Sequence, residues 1–292
     1  AKNVKCPASD ALSIYAIVAC YVQAVFLRAG ICPLVCKAYI LCADVMDLLL
    51  SVPRGGVTTN LLRETIDKFL DACVAADLKC YMHPKFHWLI HLPRELDRLA
   101  TLISCWVHER KHKMVKRICN EQRNTQRYEA SILSEVTCQH FAALKHKAKF
   151  DYRVTLCPPS AAIGPRLASR LRKELNLPDG LALASSKRGR VSEFEAISTR
   201  DVVLYKSADG AGRLEVGEVW FLPAFAAVAR ALISTWTISS SDKGSGTENA
   251  QIEDCNVAVH PLHAIVTAVT YRRKADGYAH IIVPCLYRDA VR

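Results

Sequence analysis

Two histidines and a glutamate in the middle of the chain have the spacing of a zinc-protease motif. His108, Glu109 and His112 fit the pattern His-Glu-x-x-His, which on a helix places two imidazoles and a carboxylate close together. The residues between them are Arg110 and Lys111. Cations beside a dication cost Coulomb energy and keep imidazoles protonated, which opposes ligation. We therefore predict an exposed basic helix with incidental histidines and no bound metal; a zinc-dependent hydrolase is the alternative.

The same segment is the most basic part of a basic chain. The net charge is +11, and residues 110–127 contain seven lysines and arginines against one glutamate. Charge that is clustered in this way favours a polyanionic partner, DNA, over an acidic small molecule. The candidate nucleic-acid-binding residues are Arg110, Lys113, Lys116, Arg117, Arg123 and Arg127.

The cysteines and the apolar segments indicate the compartment. Thirteen cysteines are scattered without a Cys-x-x-Cys pair, which argues against a disulfide framework and favours a reducing, nuclear or otherwise intracellular location. Residues 11–27 contain no charge, and this length is at the lower edge of a membrane span. We interpret them as a buried helix of a large α domain and predict no membrane partner.

The hydrophobic pattern divides the chain into three parts. Residues 1–150 have helical periodicity and are predicted to form an all-α domain, with Thr58 or Thr59 capping a helix over 60–78. Asp44 and Asp47 fall in a predicted helix and are interpreted as surface or capping residues. Residues 151–198 are predicted to be a basic linker with one helix over 163–175, because Pro158-Pro159 interrupts the helical pattern.

From residue 199 the pattern changes to short β-branched runs separated by turns, which predicts six strands. Such a pattern is typical of a small barrel. The predicted fold class is therefore α+β, with an N-terminal all-α domain followed by a small β-barrel-like domain over residues 199–292.

Short motifs follow one another in a defined order between residues 83 and 135. They are His87, His91 and Pro93, then Glu109, Arg110 and Lys116, and finally Glu129, Ser131 and Ile132. This order resembles the C-terminal part of CACTA-type and KDZ-type DNA transposases over residues 35–145. The resemblance implies that the histidines and the proline are determinants of the fold, which we interpret as histidines satisfied in the core.

The transposase resemblance also implies a catalytic role for Glu109. Transposases of this group are expected to hold two divalent metals with three carboxylates on an RNase H-like fold, and Glu109 matches the last of these. No strand-borne pair of aspartates precedes it in this chain. We therefore expect a transposase-derived, catalytically incomplete DNA-binding protein or fragment. The isolated chain is expected to need no cofactor, whereas a complete transposase that contains it would use Mg²⁺ or Mn²⁺.

The start of the β part, Asp201-Val-Val-Leu-Tyr205 with Val216-Gly-Glu-Val-Trp220, is similar to the first hairpin of SH3-like and BAH-like chromatin modules. The similarity implies a chromatin or other protein partner for this domain. Five aromatic residues are candidates for a cage around a cationic ligand, although packing in the core is their default role. They are Tyr205, Trp220, Phe221, Phe225 and Trp236.

Overall fold

The computed structural model describes residues 8–102, 106–121, 127–145, 154–192, 195–207, 213–225, 228–242 and 247–291. These residues form α-helices and antiparallel sheets, so the predicted α+β class is confirmed. The chain divides into two compact units: Leu102–Arg153 is one, and Ala1–Thr101 with Val154–Arg292 is the other. This division differs from the predicted boundaries at 150 and 198, because the first helices pack with the β part.

Five helices open the larger unit. They are α1 Ala8–Tyr21, which continues as a π-helical segment Val22–Leu27, α2 Pro33–Ser51, α3 Thr59–Ala75, α4 Pro84–Leu89 and α5 Leu92–Leu99. Helix α3 begins as predicted, because the Thr58 side chain accepts a hydrogen bond from the Leu61 N–H at 3.2 Å. Its buried residues Leu62, Ile66 and Phe69 recur at helical spacing on one face.

Helix α1 is not the buried helix that we predicted. Ile14, Ile17 and Tyr21 are exposed, the last by 54%. Helix α1 has apolar residues on every face, so its sequence does not specify which face packs against a neighbour. Among the described residues, Asp10–Leu27 is one stretch long and apolar enough to cross a membrane, by length and composition alone.

The main sheet has nine antiparallel strands. Seven lie in the order β10-β6-β7-β8-β9-β12-β11, β3 pairs with β7, and β2 pairs with β3. The strands are β2 Ala161–Ala162, β3 Leu183–Ser186, β6 Val202–Lys206, β7 Leu214–Phe225, β8 Val228–Asp242, β9 Thr247–Pro261, β10 Ile265–Ala268, β11 Thr270–Arg273 and β12 Tyr278–Ile282. Strands β10 and β11 lie at opposite ends of this order, although only Val269 separates them in the chain.

Strand β6 is buried on both faces. Val203 and Tyr205 belong to one apolar core, which also contains Ile197. Val202 and Leu204 belong to a second core. Because successive side chains of a strand point to opposite faces, this short run of apolar residues joins the two cores.

Residues 151–198 contain more regular structure than the predicted linker with one helix. Helix α8, Pro165–Glu174, lies where that helix was expected. A three-stranded sheet contains β1 Thr155–Leu156, β4 Arg188–Arg190 and β5 Ala196–Ser198. Residues 185–190, a polar run with one glycine inside the predicted linker, belong largely to paired strands. A Cβ at Gly189 would lie 2.9 Å from a Leu262 side-chain carbon, so this glycine allows close packing.

Candidate nucleic-acid interface

The basic segment forms most of the first helix of the smaller unit. This unit contains α6, Trp106–Glu121, and α7, Tyr128–Lys145, which contact each other. Ile118 is buried, and the Tyr128 hydroxyl donates to the Cys119 carbonyl oxygen at 3.2 Å. The hydroxyl therefore ties the start of α7 to the last turn of α6.

The candidate DNA-binding residues have different positions in this unit. Lys116 and Arg117 are exposed in the second half of α6, and Arg127 is exposed immediately before α7. Arg110 and Lys113 belong to the first half of α6. A period of 3.6 residues places positions 110, 113 and 117 along one side of the helix, with position 116 beside them. Arg123 lies outside the described residues.

Glu109 lies in the first turn of α6. His108 and His112 belong to the same continuous helix, one turn apart, which is the placement that the zinc motif requires. The start of a helix is also where a carboxylate is favoured by the helix dipole, by about 0.3–1 kcal/mol.

The remaining motif residues lie at helix starts. Glu129 is exposed and Ser131 and Ile132 are half-buried in the first turns of α7, and the Ser131 N–H donates to the Arg127 carbonyl oxygen at 2.9 Å. Pro93 is buried as the second residue of α5.

His87 and His91 are exposed, so their interpretation as histidines of the core is wrong. His87 lies near the end of α4, and His91 immediately precedes α5. Their Nε2 atoms are 3.2 Å apart, and the ring centroids are separated by 4.9 Å. His87 near the end of α4 and His91 in the turn that follows lie on the same exposed side, and the helical spacing alone did not indicate that this side faces solvent.

The structure does not bring the five candidate cage residues together on an open surface. Tyr205, Phe225 and Trp236 are buried, whereas Trp220 is exposed and Phe221 is half-buried. The Trp236 ring is covered by Tyr271, at 5.8 Å between centroids, and by the Arg273 guanidinium. Packing in the core, the default role, is confirmed for the three buried residues.

The sequence analysis missed a buried polar network between α2 and the C-terminal turn. Asp47, 9% exposed, accepts hydrogen bonds from the Tyr15 hydroxyl and from the Cys285 N–H, the latter at 2.9 Å. Asp44 pairs with Arg288, with 2.9 Å between Oδ1 and a guanidinium nitrogen. The interpretation of both aspartates as surface or capping residues is therefore wrong.

A second ion pair lies where α2 ends. The Nε atom of Arg54 is 2.8 Å from one carboxylate oxygen of Glu195. The other oxygen accepts from the Ala268 N–H at 2.8 Å and from the Thr267 hydroxyl at 3.0 Å. Glu195 thus connects the end of α2 to strand β10.

Burial dominates the electrostatics of this network. It raises the pKa of Asp47 and of Asp44, and hydrogen bonds from Tyr15, Cys285 and Arg288 offset this only in part. Burial also raises the pKa of the Cys285 thiol to about 11, so the thiol stays protonated. One sequence signal could have identified the network: Asp44 and Asp47 are the only carboxylates in the apolar helix α2.

No family model matches this chain, and comparison with curated proteins and with solved structures found no match.

Asp47→Ala is predicted to lower the free energy of unfolding at neutral pH by about 2–3 kcal/mol, because it leaves the Tyr15 hydroxyl and the Cys285 N–H without their acceptor. Denaturant unfolding measures the change. The matched control is Asp67→Ala on the exposed side of α3, for which we expect a change below about 0.5 kcal/mol. Equal losses in the two variants would contradict the role given to Asp47.

The same carboxyl group should make stability depend on pH. Because burial raises its folded-state pKa above the ordinary value of 3.8, the stabilisation that comes from this pKa difference is fully present below pH 3.8 and is lost as pH rises through the raised value, whereas the hydrogen bonds from Tyr15 and Cys285 remain. Asp47→Asn removes this titration, so its stability relative to wild type should increase as pH rises above about 4 and level off once the raised pKa is passed. Parallel pH profiles for wild type and variant would exclude this linkage.

Proposed function

We propose that the chain is a transposase-derived DNA-binding protein that neither cuts nor joins DNA by itself. The observation that supports this is the exposure of Lys116 and Arg117 on α6, within a segment where cations outnumber acidic residues seven to one. Lysine and arginine side chains on a helix neutralise phosphates and release counterions, which gives affinity without sequence readout. We propose a nuclear location for the same reason.

The helical unit suits this role by its size and composition. Helices α6 and α7 form a compact unit of their own. The cations extend from α6 to the residue before α7. A phosphate backbone presents charges at regular intervals, so a row of cations along one helix can contact several of them. We therefore assign DNA binding to Arg110, Lys113, Lys116, Arg117, Arg123 and Arg127.

We also propose that the main sheet is curled into a barrel-like form. The Tyr205 hydroxyl on β6 lies 2.7 Å from the Thr235 hydroxyl on β8, and the Tyr205 ring lies 4.5 Å from the His260 ring on β9. Arg273 on β11 pairs with Glu218 on β7. In the sheet order, two strands separate β6 from β9, and three separate β7 from β11. Side chains on such distant strands can meet only if the sheet is strongly curled. The Val269 N–H also donates to the Val202 carbonyl oxygen at 2.8 Å, beside β6.

A chromatin or other protein partner is proposed for this β part. The supporting observation is the antiparallel pairing of β6 with β7, in which Val203 lies opposite Gly217. This is the hairpin required by the similarity to SH3-like and BAH-like modules.

A zinc-dependent hydrolase is the second candidate function. Its support is the continuity of α6 through His108, Glu109 and His112, which places the two histidines one turn apart. The cations in the same helix oppose it, because they disfavour a dication and the neutral form of the imidazoles.

DNA affinity of the full chain is predicted to fall steeply with salt. If about six phosphates are contacted, the slope of log affinity against log salt is about −5 on duplex DNA. Replacing Lys116 and Arg117 together by alanine should make the slope less negative by about 2. Fluorescence anisotropy of a labelled duplex at several salt concentrations measures it.

The control for this experiment is the double replacement of Lys68 and Lys79, exposed cations of the larger unit, which should leave the slope unchanged. A salt-independent affinity of the wild type, or equal effects of the two double variants, would exclude the assigned interface.

Glu109→Gln should leave folding and DNA affinity nearly unchanged, because a carboxylate at a helix start contributes only about 0.3–1 kcal/mol. The wild-type chain should hold no zinc at His108 and His112 and should show no nicking of DNA with Mg²⁺ or Mn²⁺. Cleavage is expected only after an upstream segment with two aspartates is added, and Glu109→Gln should then abolish it.

One tightly held zinc per chain that is lost in His108→Ala or His112→Ala would favour the hydrolase instead.

A further inference from the structure

Two exposed histidines outside the basic helix have the geometry of a metal chelate. Helix α4 ends at Leu89 and α5 begins at Leu92. Between them the Ile90 N–H donates to the His87 carbonyl oxygen at 3.3 Å, and the His91 N–H donates to that of Trp88 at 3.1 Å. These short-range bonds tighten the turn, and the two imidazoles meet outside it with their Nε2 atoms 3.2 Å apart.

That separation fits one ion held by both rings. Nitrogens that each lie 2.0–2.1 Å from an ion are about 2.9 Å apart at a right angle and about 3.4 Å apart at the tetrahedral angle. The observed 3.2 Å lies between these two values. The rings are nearly perpendicular, at 82°, so they do not stack on one another. The two nitrogens thus lie within hydrogen-bond distance of each other without an ion.

We propose that His87 and His91 bind one divalent late transition-metal ion, of the class of nickel, copper or zinc. Imidazole nitrogen is a ligand that suits these ions, whereas magnesium and calcium prefer oxygen. Within the described part of the chain, no cluster of three or more histidines, cysteines or acidic residues is arranged for a metal. The ion thus keeps open positions, which water or an external ligand fills. This site is independent of the DNA-binding function and of the His108–His112 pair.

The surroundings provide a local reporter. Trp88, one residue after His87, is 63% exposed. A paramagnetic ion such as Ni²⁺ quenches a neighbouring indole, so binding at this turn should decrease the fluorescence of Trp88. Cys80 and Cys138 are exposed thiols that also attract such ions, so exposed thiols must be alkylated before the titration.

The test is a titration of the full chain, freed of metal with a chelator and alkylated with iodoacetamide, with Ni²⁺. Calorimetry and tryptophan fluorescence are followed together. We expect one site per chain, weakened at least about tenfold by His87→Ala and by His91→Ala, since each variant removes one of two ligands. Trp88→Phe should keep the calorimetric site and lose the fluorescence change. Acid should abolish binding, because protonated imidazoles do not ligate metal.

Two other histidine variants are the matched controls. His83→Ala removes an exposed histidine just before α4, and His140→Ala removes one on α7; both should retain wild-type affinity. Circular dichroism of each variant establishes that it is folded. Unchanged affinity in folded His87→Ala and His91→Ala, or loss of binding only in His108→Ala, would overturn the proposal.

Discussion

The larger unit depends on a buried carboxylate that must find partners. Asp47 lies in an apolar helix, and an unpaired acid there would be costly. Its two oxygens accept from Tyr15 on α1 and from the Cys285 backbone, which is 238 positions later in the sequence. Both partners are needed to compensate the loss of water. The pairing therefore holds the first two helices against the end of the chain, and it explains why residues from both termini form one unit.

The polar contacts near Asp47 also explain how the chain can contain the smaller unit between two separate parts of the larger unit. The chain leaves the larger unit after Thr101 and returns to it at Val154. The pairs of Asp44 with Arg288 and of Arg54 with Glu195 join segments on either side of this excursion. The basic helices can thus differ in charge and composition from the rest without disturbing the contacts that hold the larger unit together. A DNA-binding role is compatible with such an arrangement, because it requires exposed cations and little core.

The sequence predicted correctly those elements that are determined by residues close together in the chain. Helix α3 was predicted because Thr58 caps it and its apolar residues repeat on one face, and β6 was predicted from a run of β-branched residues. The sequence was insufficient where a partner far away decides. The two carboxylates in the apolar helix α2 indicate a polar network, but no residue near Asp47 in the sequence identifies the Cys285 N–H as its partner. Residues 151–198 were predicted to be a linker, whereas the backbone groups near Gly189 are paired with neighbouring strands.

For the candidate sites, likewise, the sequence predicted the exposure of some residues and not of others. The sequence alone placed Lys116 and Arg117 in an exposed helix, because dense charge cannot be buried. The exposure of His87 and His91 was not predictable, since an imidazole is tolerated inside and outside a protein. Their orientation depends on the turn between α4 and α5, where short-range backbone hydrogen bonds precede Pro93 at the start of α5.

The distance in sequence between Asp47 and Cys285 has a consequence for synthesis on the ribosome. At about 5–20 residues per second, roughly 10–50 s pass between the emergence of the two residues, which are 238 positions apart. During this interval α2 has no N–H from the C-terminal turn to accept, while α6 and α7 have already been made. During the same interval the nascent chain carries the exposed apolar side chains of α1 and α2, which are then accessible to chaperones.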